Sequence, residues 1–191
     1  DPNTALLSIK KLEEKLQYAK KKGKLPKIVI PVHFGGQPCD MKEIYALSKK
    51  YNFKIIEDAA HAIGAKYQDK LIGSCQYSDI TVFSFHPVKI ITTGEGGVAM
   101  TNNLQLSDRM RLLRSHGITR DVSKMKNKPD GAWYYEQIDL GFNYRMTDIQ
   151  AALGISQLNR IEQYVSRRNE IAEWYNKKFR TTDISPLMQK M

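Results

Sequence analysis

Strand and helix patterns alternate between residues 27 and 58, and a third strand pattern that a proline stops follows them. No other feature of the chain constrains its fold as strongly. Residues 27–33 and the run Phe53-Lys54-Ile55-Ile56-Glu57 read as strands. Between them, Asp40 with Glu43 makes a capping-box pattern that opens a helix over 41–51. This βαβ rhythm predicts an α/β fold whose mostly parallel sheet is flanked by helices. Ile80, Val82, Phe83 and Phe85 extend the pattern as a largely buried strand over 79–85. Pro87 cannot donate to a strand ladder, so the chain must leave the sheet there.

Two chemically distinctive side chains stand where such strands end. Lys89 emerges just beyond Pro87, and Asp58 closes the strand before it. Open α/β sheets bind ligands at the C-terminal edge of their strands. A lysine held near apolar walls there has its charged form disfavoured, which makes its amine nucleophilic. A lone Asp at a strand end reads equally as a helix cap or a solvated loop residue. Together, though, the two fit pyridoxal phosphate (PLP), with an aspartate facing the pyridine nitrogen and a lysine carrying the aldehyde.

Elsewhere the patterns fill out the same architecture. Residues 4–22 read as a helix, Gly35-Gly36-Gln37-Pro38 as a turn, and 65–72 as a small hairpin around Gln68-Asp69. The Gly94–Gly97 run leads into a strand that ends near Thr101. Its glycines serve either a turn or close approach of backbone to a ligand. Residues 104–116 form a helix ended by Gly117, and 118–135 a long polar loop containing Trp133, Tyr134 and Tyr135. Such a loop suits a substrate mouth or a subunit contact, or else is disordered. Thr147 with Gln150 opens a helix through Leu158, and a last helix runs from Arg160 to Phe179 with Ile161, Val165, Ile171, Trp174 and Tyr175 as its core positions.

The formal net charge of +10 raises nucleic acid or an anionic membrane as partners. Much of that charge crowds the first helix, from Lys10 to Lys24, opposite the apolar positions Ile9, Leu12, Leu16 and Ala19. It reads as a solvated helix face, or as attraction for a phosphorylated ligand. No nucleic-acid motif or interleaved aromatic patch accompanies it. There is neither a membrane-spanning apolar stretch nor a signal peptide, so the expectation is a soluble cytoplasmic protein. Cys39 and Cys75 match no metal or redox spacing and read as reduced structural thiols. His33, His61, His86 and His116 lack ligand pairing, so no metal is expected. His33 and His86 either line a ligand pocket or hold ordinary hydrogen-bonded positions at strand ends.

Four linked strings carry a resemblance: Glu57-Asp58-Ala59-Ala60-His61, Ser84-Phe85-His86-Pro87-Val88-Lys89, Thr93-Gly94-Glu95-Gly96-Gly97 and Asn143-Tyr144-Arg145-Met146. In order and spacing they resemble the DegT/DnrJ/StrS sugar aminotransferases, which are PLP enzymes of fold type I. The resemblance implies that Lys89 is the cofactor lysine, Asp58 the partner of the pyridine nitrogen, and His61 a neighbour of the ring. Ser84 would bond the cofactor phosphate. Asn143 would reach the phosphate of a second subunit's cofactor, making the enzyme a homodimer, with Arg145 supporting that contact. His33, His86 and Arg145 would be candidates for binding substrate.

Within the family, Pro31-Val32-His33-Phe34-Gly35-Gly36-Gln37-Pro38 and His-Pro-Val-Lys are most similar to transaminases of the pseudaminic acid pathway. These aminate C4 of a UDP-linked 4-keto-6-deoxy-N-acetylhexosamine, with glutamate as donor. A dehydratase of the same family would carry a histidine in place of Lys89. The family's enzymes are about twice this length, so the expectation is a partial chain. Residues 1–158 would belong to the PLP-binding large domain, and 159–191 would form a connecting helix toward a small domain. Such a piece is either competent or catalytically incomplete.

Overall fold

The computed structural model of the chain describes residues 1–187. Helix α1 (Ile9–Lys21) starts at Ser8, whose hydroxyl accepts the Lys11 amide, rather than at residue 4. The preceding turn instead buries Leu6. After β1 (Ile28–Val29), helix α2 (Met41–Tyr51) leads into β2 (Lys54–Asp58). The strand expected over 27–33 is cut short because Pro31 has no amide hydrogen to pair, and the ladder resumes only as a bridge from Val32 to Asp58. Asp40 does precede α2, but its side chain makes no cap bond; it accepts from the Tyr67 hydroxyl at 2.8 Å.

The hairpin expected around Gln68-Asp69 is present as β3 (Lys66–Tyr67) and β4 (Lys70–Leu71). Gln68 and Asp69 both adopt positive φ, as a tight hairpin turn requires. Next come β5 (Ile80–Ser84) and β6 (Gly97–Met100). The main sheet has the order β1-β2-β5-β6, with the first three strands parallel and β6 antiparallel to β5. The C-terminal ends of β1, β2 and β5 therefore share one sheet edge with the start of β6. Glycine is needed at 97 because a Cβ there would meet the Phe83 carbonyl oxygen at 2.6 Å.

The pleat sorts residues onto two faces. Ile55, Glu57, Thr81 and Phe83 are buried on one. There Ile55 joins Leu16, Met41, Ile44, Leu47 and Tyr51 in the main core, while Phe83 packs with Ala59, Ala62 and Ile72. On the other face Ile28 (48 % exposed) and Val82 (39 % exposed) remain open.

Helix α3 (Leu104–Arg114) is capped by Asn103, and the chain then turns through positive φ at His116 and Gly117. The polar stretch that follows is ordered, with β7 (Ile118–Thr119) pairing antiparallel with β8 (Glu136–Gln137). Between the two strands, the Glu136 carboxylate accepts from the amides of Lys126 (2.7 Å) and Asn127 (2.8 Å) and from the Tyr134 hydroxyl (2.9 Å). The Thr147–Gln150 capping box opens α4 (Asp148–Leu158), as its sequence implies.

Helix α5 (Ile161–Phe179) departs from expectation. Ile161 and Val165 lie against Gly64, but Ile171, Trp174 and Tyr175 are exposed rather than core. The first two turns of α5 have a loop to pack on, and the later positions meet no packing surface among the described residues. Residues 188–191 of the expected connecting segment lie outside the described residues.

Candidate active site

Asp58 and Ser84 end neighbouring strands at the shared sheet edge, and Lys89 follows on the loop beyond β5. Asp58 is fixed there by its backbone, donating to Pro31 O at 2.9 Å and accepting from the His33 amide at 3.0 Å. Its Oδ1 accepts the Ala60 amide at 3.1 Å, which orients the half-buried carboxylate. Ser84 closes β5 opposite Gly97, and its hydroxyl accepts the His86 amide at 3.3 Å.

Lys89 sits on a loop that is pinned at its base. Phe85 donates to Gly96 O at 2.8 Å, and Phe85 O in turn receives the Thr93 amide (3.0 Å) and the Thr92 hydroxyl (2.9 Å). Helix α4 adds a further tie, with Gln157 Oε1 accepting the Thr92 amide at 3.1 Å. The turn itself closes where the Lys89 amide donates to His86 O at 3.0 Å.

Lys89 and His61 both line a cleft of ≈ 840 Å³, which is walled by segments 35–38, 61–66 and 88–90 and by one side of α5. Its lining includes Lys66, Lys89 and Arg168 but no carboxylate, so the field inside favours anionic ligands. His61 is held from behind, its Nδ1 accepting the Gly35 amide at 3.3 Å and its ring meeting Phe34 edge-on at 6.1 Å.

Other expected site residues lie elsewhere. His33 is 0 % exposed and does not line the cleft; of the two readings open to it, the hydrogen-bonded strand-end position is the one adopted. His86 is exposed, 4.0 Å from Glu95, and is also absent from the cleft wall. Asn143 and Arg145 are exposed on the stretch between β8 and α4, with Asn143 bridged to Ser115, and this chain does not bring them to the cleft. Lys66, Arg168 and Asn169 do line it, although no sequence motif marks them. Among the described residues no helix is long and apolar enough to cross a membrane, and no cluster of His, Cys, Asp or Glu could hold a metal ion.

These residues fit PLP: a lysine and a fixed histidine on the wall of one roomy cationic cleft, with an oriented carboxylate and a serine hydroxyl at the adjoining sheet edge, although Asp58 and Ser84 do not themselves line the cleft. Comparison with known proteins agrees. A Campylobacter jejuni UDP-4-amino-4,6-dideoxy-N-acetyl-beta-L-altrosamine transaminase is 45% identical over 148 residues, covering 78% of this chain and 36% of the relative. Helicobacter pylori PseC, an aminotransferase involved in the biosynthesis of pseudoaminic acid, superposes with a TM-score of 0.79 at 31% identity. The match covers 93% of this chain and 43% of that one. The putative sugar aminotransferase Spr1654 of Streptococcus pneumoniae, solved in both PMP and PLP forms, gives a TM-score of 0.81 for the PMP form. That match, at 29% identity, covers 100% of this chain and 51% of Spr1654. The chain thus spans about half the length of these relatives or less. The DegT/DnrJ/EryC1/StrS aminotransferase family model matches residues 1–191, and the chain belongs to that family.

Proposed function

We propose that the protein is a cytoplasmic PLP-dependent transaminase. It moves an amino group from L-glutamate to C4 of a UDP-linked 4-keto-6-deoxy-N-acetylhexosamine, as in pseudaminic acid biosynthesis. The observation that carries this reading is Lys89 on the wall of a cationic cleft at the sheet edge where Asp58 ends its strand. In this reading Lys89 and Asp58 hold the cofactor, with His61 beside its ring and Ser84 at its phosphate. Bound PLP supplies an electron sink and a carrier for the amino group. Lys89 Nζ takes the proton from Cα of the donor and, in the second half of the cycle, delivers a proton to C4 of the sugar. The Asp58 carboxylate holds its negative charge against the pyridine nitrogen. Lys66 and Arg168 favour the anionic substrate over a neutral sugar.

The enzyme works as a homodimer, with Asn143 and Arg145 serving the second subunit's site. In support, Leu140 and Ile149 are each 85% exposed around Asn143, and Phe142 stacks on Tyr144 at 4.9 Å beside them. Exposed apolar groups gathered in this way mark an interaction surface. Residues 1–158 then belong to the large domain, and α5 leads toward the small one.

The test is turnover by the full-length protein supplied with PLP, glutamate and the UDP-linked 4-keto sugar, followed as 2-oxoglutarate release. Lys89→Ala is expected to lower the rate by about 10²–10⁴-fold or more. Near-normal turnover in that variant would remove Lys89 from the mechanism.

A further inference from the structure

His33 and Glu57 form a buried polar pair outside the cleft, and the assigned chemistry makes no use of either. The chain leaves the sheet at Val32–His33, forms the cleft wall with residues 35–38, and re-enters the core at Cys39. One residue, His33, ties both ends of that excursion, one through its backbone and the other through its ring. The His33 amide donates to Asp58 O at 3.0 Å, and its ring Nδ1 accepts the Cys39 amide at 3.1 Å. Ring Nε2 donates to Glu57 Oε2 at 2.8 Å, and the Cys39 thiol donates to Val32 O at 3.1 Å. Glu57 Oε1 accepts from the hydroxyls of Ser78 and of Thr81, the latter at 2.8 Å.

The partners of the Cys39 amide, the Cys39 thiol and Glu57 assign the hydrogens around the His33 ring. Burial opposes charge on His33, and the interactions with Cys39 and Glu57 outweigh it and raise its pKa to about 9; against this, the Cys39 amide points its hydrogen at Nδ1, a position only the neutral ring leaves open. Burial likewise opposes charge on Glu57, yet donation from His33, Ser78 and Thr81 outweighs it and holds that carboxyl below its ordinary range. A well-packed apolar core would serve stability as well as this network, so its presence calls for a task that apolar groups could not perform. The loop it closes supplies one. Gly35 of that loop donates to His61 Nδ1, leaving Nε2 as the nitrogen of His61 free to serve the cleft, and the loop backbone at Gly36 abuts the His61 carbonyl.

We propose that His33 and Glu57 are positioning residues for the transamination, acting through the loop at residues 34–38 to fix the place and tautomer of His61 beside the cofactor. This rests on the cleft being the transaminase site. Glu57 and Asp58 then divide the labour of one strand: the first sets the wall of the site, and the second faces the cofactor.

Glu57→Gln in the full-length protein tests the idea, because an amide offers one oxygen where three donors now find two. With its nitrogen turned to His33, the imidazole proton must move to Nδ1, where it opposes the Cys39 amide. Hydrogen exchange of the amides at residues 34–37 and 39 is then expected to quicken roughly ten-fold or more. The His61 Nδ1 resonance is expected to move off its hydrogen-bonded position. The rate of the glutamate half-reaction should fall by about 10²-fold, with KM for glutamate and PLP retention little changed. Ser78→Ala, a milder lesion of the same carboxylate, should shift all three readouts in the same direction by less.

If the variants melt earlier but keep wild-type loop exchange and a wild-type His61 resonance, the pair is structural only and the proposal fails. It fails equally if loop and His61 shift while the half-reaction rate stays unchanged. Failure of the underlying reading would show separately, as a wild-type protein in which borohydride traps no PLP on Lys89.

Discussion

Glu57 and Asp58 are consecutive carboxylates on β2, and the pleat gives them opposite surroundings: Glu57 is buried among three donors, Asp58 half-buried at the sheet edge. The folded-state pKa of Glu57 lies below its ordinary value of 4.5, so its stabilising contribution is present above pH 4.5 and is lost as pH falls through the folded value. The unfolding midpoint should therefore drop on acidification below pH 4.5, and Glu57→Gln should flatten that part of the profile in a thermal melt followed by circular dichroism. At this scale Lys89 and Asp58 were legible as strand-end residues because Pro87 and the strand periods place them there, and His61 only through the resemblance of its string. The role of His33 was not. A histidine before Phe34-Gly35-Gly36 reads the same whether it faces a ligand or ties down a loop, and its partners Glu57 and Cys39 are identified only by the fold.

Helix α5 packs closely on Gly64, where φ is +82° and a Cβ would come within 2.8 Å of Val165 Cγ2. Gly64→Ala should combine a strained backbone with a crowded contact and destabilise by about 1–3 kcal/mol, read as a lower urea midpoint. In the core of α2, Ile44→Ala should cost about 2–5 kcal/mol by the same measurement, since the side chain is fully buried. Elements were readable where their signals are local, as with the Thr147–Gln150 box and the Gln68-Asp69 turn. They were misread where a distant partner decides. Tyr67 takes the carboxylate of Asp40. The amphipathic pattern of α5 says that a face is apolar, without saying whether anything covers it.

For the molecule as a whole, the α/β class followed from the βαβ rhythm, and the comparisons bear it out. Sequence periodicity could not tell which sheet face is covered by the chain's own helices, because apolar and polar residues occur on both faces of β2 and β5. One face is open, with Ile30 57% and Val32 42% exposed beside Val82. Residues 1–191 prepared alone are thus expected to associate beyond a dimer and bind a hydrophobic dye, and the full-length enzyme to stay a dimer that binds no dye. Sedimentation of the two side by side checks this.

The most direct test of the central claim is covalent trapping. The full-length protein is loaded with PLP, reduced with borohydride, digested and mapped by peptide mass spectrometry. A phosphopyridoxyl group on Lys89, lost in Lys89→Ala, is the predicted result; a label on another lysine, or none, would contradict the assignment.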